Sequence, residues 1–114
     1  DLNETDEIFR IHLSIASQAA ACLPPIPHSW DFAFASDPGL VLHAPDGNHS
    51  APAGALLAAM VIASTLTGDS PAGLPSLPVT GVDEGTQAKL RAAAVRAIAA
   101  VPPRQHCPGD PFLP

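Results

Sequence analysis

The residues that could do chemistry are gathered in one short stretch, His43-Ala44-Pro45-Asp46-Gly47-Asn48-His49-Ser50. A histidine that takes a proton from a hydroxyl needs its far ring nitrogen bonded to a carboxylate, which fixes the tautomer and stabilises the imidazolium that forms. Asp46 and His49 stand three positions apart, and a tight turn eased by Gly47 would bring carboxylate and imidazole together. Taken alone the D-x-x-H spacing is common, and its simpler reading is a loop aspartate beside a surface histidine. His43, Asp46 and His49 also spell H-x-x-D-x-x-H, three ligands for a zinc-like ion, although a loop offers no helical face to align them. The remaining histidines are expected to be structural: His12 partly buried on a helix face beside Ile8 and Ile15, His28 and His106 near prolines in loops. Trp30, the single tryptophan, reads as a core plug.

The elements that must position this stretch are mostly helical. From Thr5 to Ala21 the residues Ile8, Ile11, Ile15 and Ala19 recur at helical spacing behind Thr5 as N-cap, which predicts an amphipathic surface helix. Cys22-Leu23-Pro24-Pro25-Ile26-Pro27 predicts a short strand or extended edge segment, since proline cannot join a fully paired central strand. Ser29, Trp30 and Asp31 open a brief turn or helix through Ala35, and Asp37-Pro38-Gly39 reverses the chain. Leu40-Val41-Leu42 then leads into the polar loop. After that loop a helix runs to Thr67, with Pro52 in its first turn, Ser50 or His49 at or before its cap and Gly68 as its stop. The Pro/Gly/Ser-rich connection 69–81 precedes a last helix from Asp83-Glu84 to about Val101, packed through Leu90, Ala94, Ala97 and Val101 and kept wet by Lys89, Arg91 and Arg96. Residues 102–114 hold five prolines and little apolar content, so a disordered tail is expected beyond one domain at 1–101.

Composition narrows the function classes. With 11 acidic and 5 basic residues the net charge is -6, and no Lys/Arg run exists to neutralise phosphates, which argues against nucleic acid as a partner. Apolar residues make up 46% of the 114 and aromatics only 4%, so the core must rely on close backbone packing. Ala51–Thr67 is uncharged but alanine-rich and lacks basic or aromatic anchors at its ends, so it reads as a buried helix instead of a membrane span. Cys22 and Cys107 show no metal-type spacing and are compatible with a disulfide or with free thiols. The chain opens at Asp1 without a signal-like segment, which suggests a processed product or a piece of something longer and leaves a secreted or periplasmic location open.

The block from Leu42 to Ala59, with Asp46-Gly47-Asn48-His49 ahead of a small-residue helix, resembles the last conserved block of the SGNH, or GDSL-like, hydrolases. Pro27-His28-Ser29-Trp30 before it and Leu66-Thr67-Gly68-Asp69-Ser70-Pro71 after it resemble the flanking segments of bacterial members. The resemblance implies an α/β fold: the C-terminal part of a three-layer, flavodoxin-like domain with three helices and one or two short strands, its apolar helix leaning on part of a parallel sheet. It also implies a serine esterase that acts on small-molecule esters without metal or organic cofactor, in which His49 is the general base and Asp46 its orienting partner. The family's nucleophilic serine and oxyanion-hole residues precede this block, so the chain alone should be inactive and the N-terminal remainder of the domain its expected complement. Gly68-Asp69-Ser70 has the letters of the nucleophile motif but follows the apolar helix, which makes Ser70 a loop residue and Asn48 a turn residue. The competing expectation is a small alanine-rich interaction or metal-binding module without catalysis.

Overall fold

A computed structural model describes residues 2–78, 81–105 and 107. Among them the chain forms four α-helices, α1 (Leu2–Ala19), α2 (Ile26–Ser36), α3 (Pro52–Thr67) and α4 (Glu84–Ala100), with a 3-10 turn at Pro71–Gly73. The core lies where α2, α3 and α4 meet, and is built from Ala33, Leu42, Ala53, Leu57, Met60, Val61, Leu90, Ala93 and Ala94. Seven of these nine side chains are alanine methyl groups or leucines, and small residues let backbones approach closely where aromatics are scarce. Trp30, Phe32 and Phe34 of α2 seal the edges of that core.

The α/β expectation is overturned: no strand and no sheet exists among the described residues, and the sole ladder contact is an isolated antiparallel bridge between His43 and Ser50. Two local causes account for this. Cys22–Pro25 is extended, but prolines remove its donors, and among the described residues its one backbone partner outside the adjoining α2 is Pro103 O, which accepts from Leu23 N at 2.8 Å. The segment Leu40–Leu42 spends its last carbonyl on Ala51 N at 2.8 Å, the residue that caps the next helix, and no other extended segment lies beside it. What was expected as a brief turn from Ser29 is an 11-residue helix, because Pro27 sits in the first turn, where a missing N–H costs nothing.

Helix α1 also departs from expectation. Thr5 lies inside the helix and is buried, so it is not the cap, and Ala16 further along the helix is buried as well. The isoleucines of the amphipathic pattern face outward, with Ile11 55% and Ile15 58% exposed, and His12 is exposed as well. Phe9 anchors α1 by an edge contact with the His28 ring at 4.6 Å between centroids, and His28 therefore belongs to α2 instead of a loop. His106 lies outside the described residues.

The last helix keeps the expected stripe of Leu90, Ala94 and Ala97 fully buried, but Val101 is its half-buried C-cap, and Arg91, expected on the wet face, is only 16% exposed and donates to Ser76 Oγ at 3.2 Å. Asp83 caps it by accepting from Thr86 N at 2.7 Å. Gln87, buried on the same helix, ties down the preceding connection: its amide donates to Val82 O at 2.7 Å and Leu77 O at 3.0 Å and accepts from Leu77 N at 2.9 Å. Cys22 and Cys107 form a disulfide that spans 85 residues of sequence and fixes the chain beyond α4 to the link between α1 and α2. No helix among the described residues is long and apolar enough to cross a membrane.

Candidate functional site

Asp46 and His49 sit at the tip of a loop whose two arms converge at the start of α3. Ala44 N donates to His49 O at 2.7 Å and Ala51 N to Leu42 O at 2.8 Å, so the arms are joined by two backbone hydrogen bonds. Between them Gly47 N donates to Ala44 O at 2.9 Å, closing a turn in which Gly47 adopts φ +69°, a conformation that glycine reaches without cost. Helix α3 then begins with Ala51 as N-cap, Ser50 standing just before it as expected, and with Pro52 in its first turn.

The turn brings the expected carboxylate to the expected imidazole. Asp46 Oδ1 accepts from Asn48 N at 2.9 Å and His49 N at 3.0 Å, while Oδ2 lies 2.5 Å from His49 Nδ1. The backbone N–H of His49, then its ring, then the N–H of Asn48 hold the Asp46 carboxyl down to about 2, against 3.8 ordinarily. An ionised carboxylate only accepts, so Nδ1 carries the proton and donates it to Asp46. In a neutral ring so held, the second nitrogen, Nε2, carries the lone pair, and no described residue hydrogen-bonds to it. The His49 side chain is 75% exposed, which leaves that nitrogen accessible from outside.

The other candidates are elsewhere. His43, the third residue of the metal-like pattern, turns away to pack edge-on against Trp30, with centroids 4.6 Å apart. Among the described residues no three His, Cys, Asp or Glu side chains form a group that could hold a metal ion. Ser70 is occupied in capping the 3-10 turn, where its hydroxyl accepts from Ala72 N at 3.2 Å. Two open clefts flank the base of the loop without including Asp46 or His49. One, of about 320 Å³, lies between α1 and α2 and is lined by Ile8, Ile26, Trp30, Phe34 and His43. The other, of about 370 Å³, is bordered by Leu40, Val41, Pro52 and Asp83.

The structure adds a support that sequence reading missed. Gly54, in the first turns of α3, passes so close to the loop arm that an added Cβ would lie 2.2 Å from Leu42 O and 2.8 Å from Trp30 Cζ2. A glycine two residues after a proline at a helix start was the available signal, but its reason is a tertiary contact. Compared with protein-family models, with curated proteins and with solved structures, the chain matches none.

Proposed function

We propose that this chain supplies the general-base half of an SGNH-type serine ester hydrolase, with His49 as base and Asp46 as its orienting carboxylate. One observation carries the reading: an ionised Asp46 holds Nδ1–H of His49 while Nε2 stays open to an incoming hydroxyl. The described helices do not share the α/β architecture of that family, so the reading stands on the D-G-x-H turn and its geometry. In the reaction, Nε2 takes the proton of a serine hydroxyl contributed by residues outside this chain, as that oxygen attacks the ester carbonyl. Asp46 remains ionised and stabilises the imidazolium, which then gives its proton to the departing alcohol. Neither step needs a metal or organic cofactor.

Hydrolysis of a short-chain p-nitrophenyl ester tests the assignment in three forms: this chain, the chain with whatever precedes Asp1 in its reading frame, and that longer form with His49→Ala. Activity confined to the longer form and abolished with His49 is the expected result. Inactivity in every form, or activity indifferent to His49, overturns it and favours the non-catalytic interaction module. That second reading has its own observation, the exposed Ile11 and Ile15 on α1 and Ile62 and Leu66 on α3.

A further inference from the structure

The loop that carries Asp46 and His49 has no sheet behind it. Two backbone hydrogen bonds, which together make the His43–Ser50 bridge, join its arms, and an isolated two-stranded ladder is at best marginally stable in water. The neighbouring side chains must therefore provide the rigidity. Trp30 is the largest of them, and it meets the first arm and the start of α3 at once. Its ring edge meets His43, which begins the loop and bridges to Ser50 beside His49. Its Cζ2 atom lies against Gly54, where α3 passes under Leu42 O, the acceptor that joins the second arm at Ala51. The indole is thus a wedge between α2, the first arm and the start of α3.

The wedge is held at a cost. Trp30 Nε1 is buried without a hydrogen-bond partner among the described residues, and a buried unpaired donor forfeits its hydration without recompense. Packing alone keeps the ring there, since an indole buries a large apolar area in one rigid piece.

We infer that Trp30 is a positioning residue for His49, acting through His43 and Gly54 to fix the loop in the register that pairs the imidazole with Asp46. The inference rests on the general-base reading for its functional meaning, but its geometry is measurable in this chain without any substrate. The readout is the imidazole nitrogen chemical shifts of His49 in the ¹⁵N-labelled chain above neutral pH, which report whether Nδ1 or Nε2 carries the proton. Helix content by circular dichroism is followed alongside.

The unaltered chain is expected to show His49 with the proton on Nδ1. Trp30→Ala should lose that preference while the helices persist, and Trp30→Phe, which restores an aromatic wedge, should recover it. Should Trp30→Ala unfold the chain, His43→Ala removes the exposed ring that Trp30 touches and leaves the core intact, and the same loss is expected. A folded Trp30→Ala or His43→Ala variant with the preference unchanged overturns the positioning role and leaves the Asp46–His49 reading standing. Absence of the preference in the unaltered chain instead removes the ground of the general-base reading, so the two failures are told apart.

Discussion

Helix α3 has a polar loop at each end, and both loops contain residues that a search for catalytic letters would select. At its N-terminal end Asp46 and His49 are joined to each other, with the carboxylate occupied by two backbone N–H groups and the ring. At its C-terminal end Gly68 ends the helix in a left-handed cap, Ser64 Oγ donates to Asp69 O at 2.6 Å, and Ser70 caps the next turn. The serine and threonine hydroxyls of the second loop are thus spent on the backbone, with Thr67 Oγ1 donating to Ala63 O at 2.9 Å. The first loop leaves one ring nitrogen unspent. What separates a chemical site from a structural loop here is the group left over once local hydrogen bonds are satisfied, and residue type alone does not reveal it.

The largest contrast between the two ends should appear in catalysis. In the longer form used for ester hydrolysis, His49→Ala is expected to lower kcat/KM by about 10⁴-fold or more, as loss of a triad base does. Ser70→Ala should leave it within about twofold. Equal losses from the two substitutions would erase the distinction drawn between the loops.

A disulfide remote from both loops offers a control for global stability. Replacing Cys22 and Cys107 together by alanine opens an 85-residue loop, and chain-entropy reasoning puts the loss at about 4.5 kcal/mol. Urea unfolding should register that loss through a lower midpoint, with the His49 nitrogen shifts of the still-folded fraction unchanged. Altered shifts would mean that the loop depends on the Cys22 link and not on its own contacts.

A glycine pair sharpens the comparison at the level of packing. Gly54→Ala, at the first loop, places a Cβ against the Leu42 carbonyl and should cost roughly 1–3 kcal/mol, more than the roughly 1 kcal/mol of helix propensity that alanine contributes. Gly73→Ala, at the second, meets open space and should be neutral or stabilising by up to about 1 kcal/mol. Thermal unfolding of both variants measures the difference, and a Gly54→Ala protein as stable as the parent would show that α3 can move off the loop.

The smallest effect is the pH response of the first loop. Because the Asp46 carboxyl is lowered from 3.8 to about 2, its bonds to the loop contribute fully above pH 3.8 and are lost as pH falls through about 2. The Asp46 carboxyl carbon shift should titrate in that window. Titration near 3.8 would mean that the loop is open in solution.

Much of this arrangement was legible in the chain itself. Pro52 and Gly68 bracket α3, Asp83 starts α4, and the buried stripe of α4 follows from its spacing, because capping and periodicity are local properties. The D-G-x-H turn was legible for the same reason: an aspartate that bonds the N–H groups two and three residues on needs only its own loop. The α/β expectation failed, and the strand alternative at 22–27 with it, since extended conformation is local but pairing requires a neighbour that the described residues do not offer. The α1 isoleucines misled for a related reason, as helical spacing identifies an apolar face without saying what will cover it.

The sequence by itself therefore determined the helices, their caps and the chance for Asp46 to meet His49, all set by interactions within a few residues. Tertiary structure alone decided that Cys22 would find Cys107 and that Trp30 and Gly54 would close on the loop base. Those outcomes depend on which surfaces come into contact when α2, α3 and α4 pack, and a contact between residues far apart in the chain leaves no period or spacing to read.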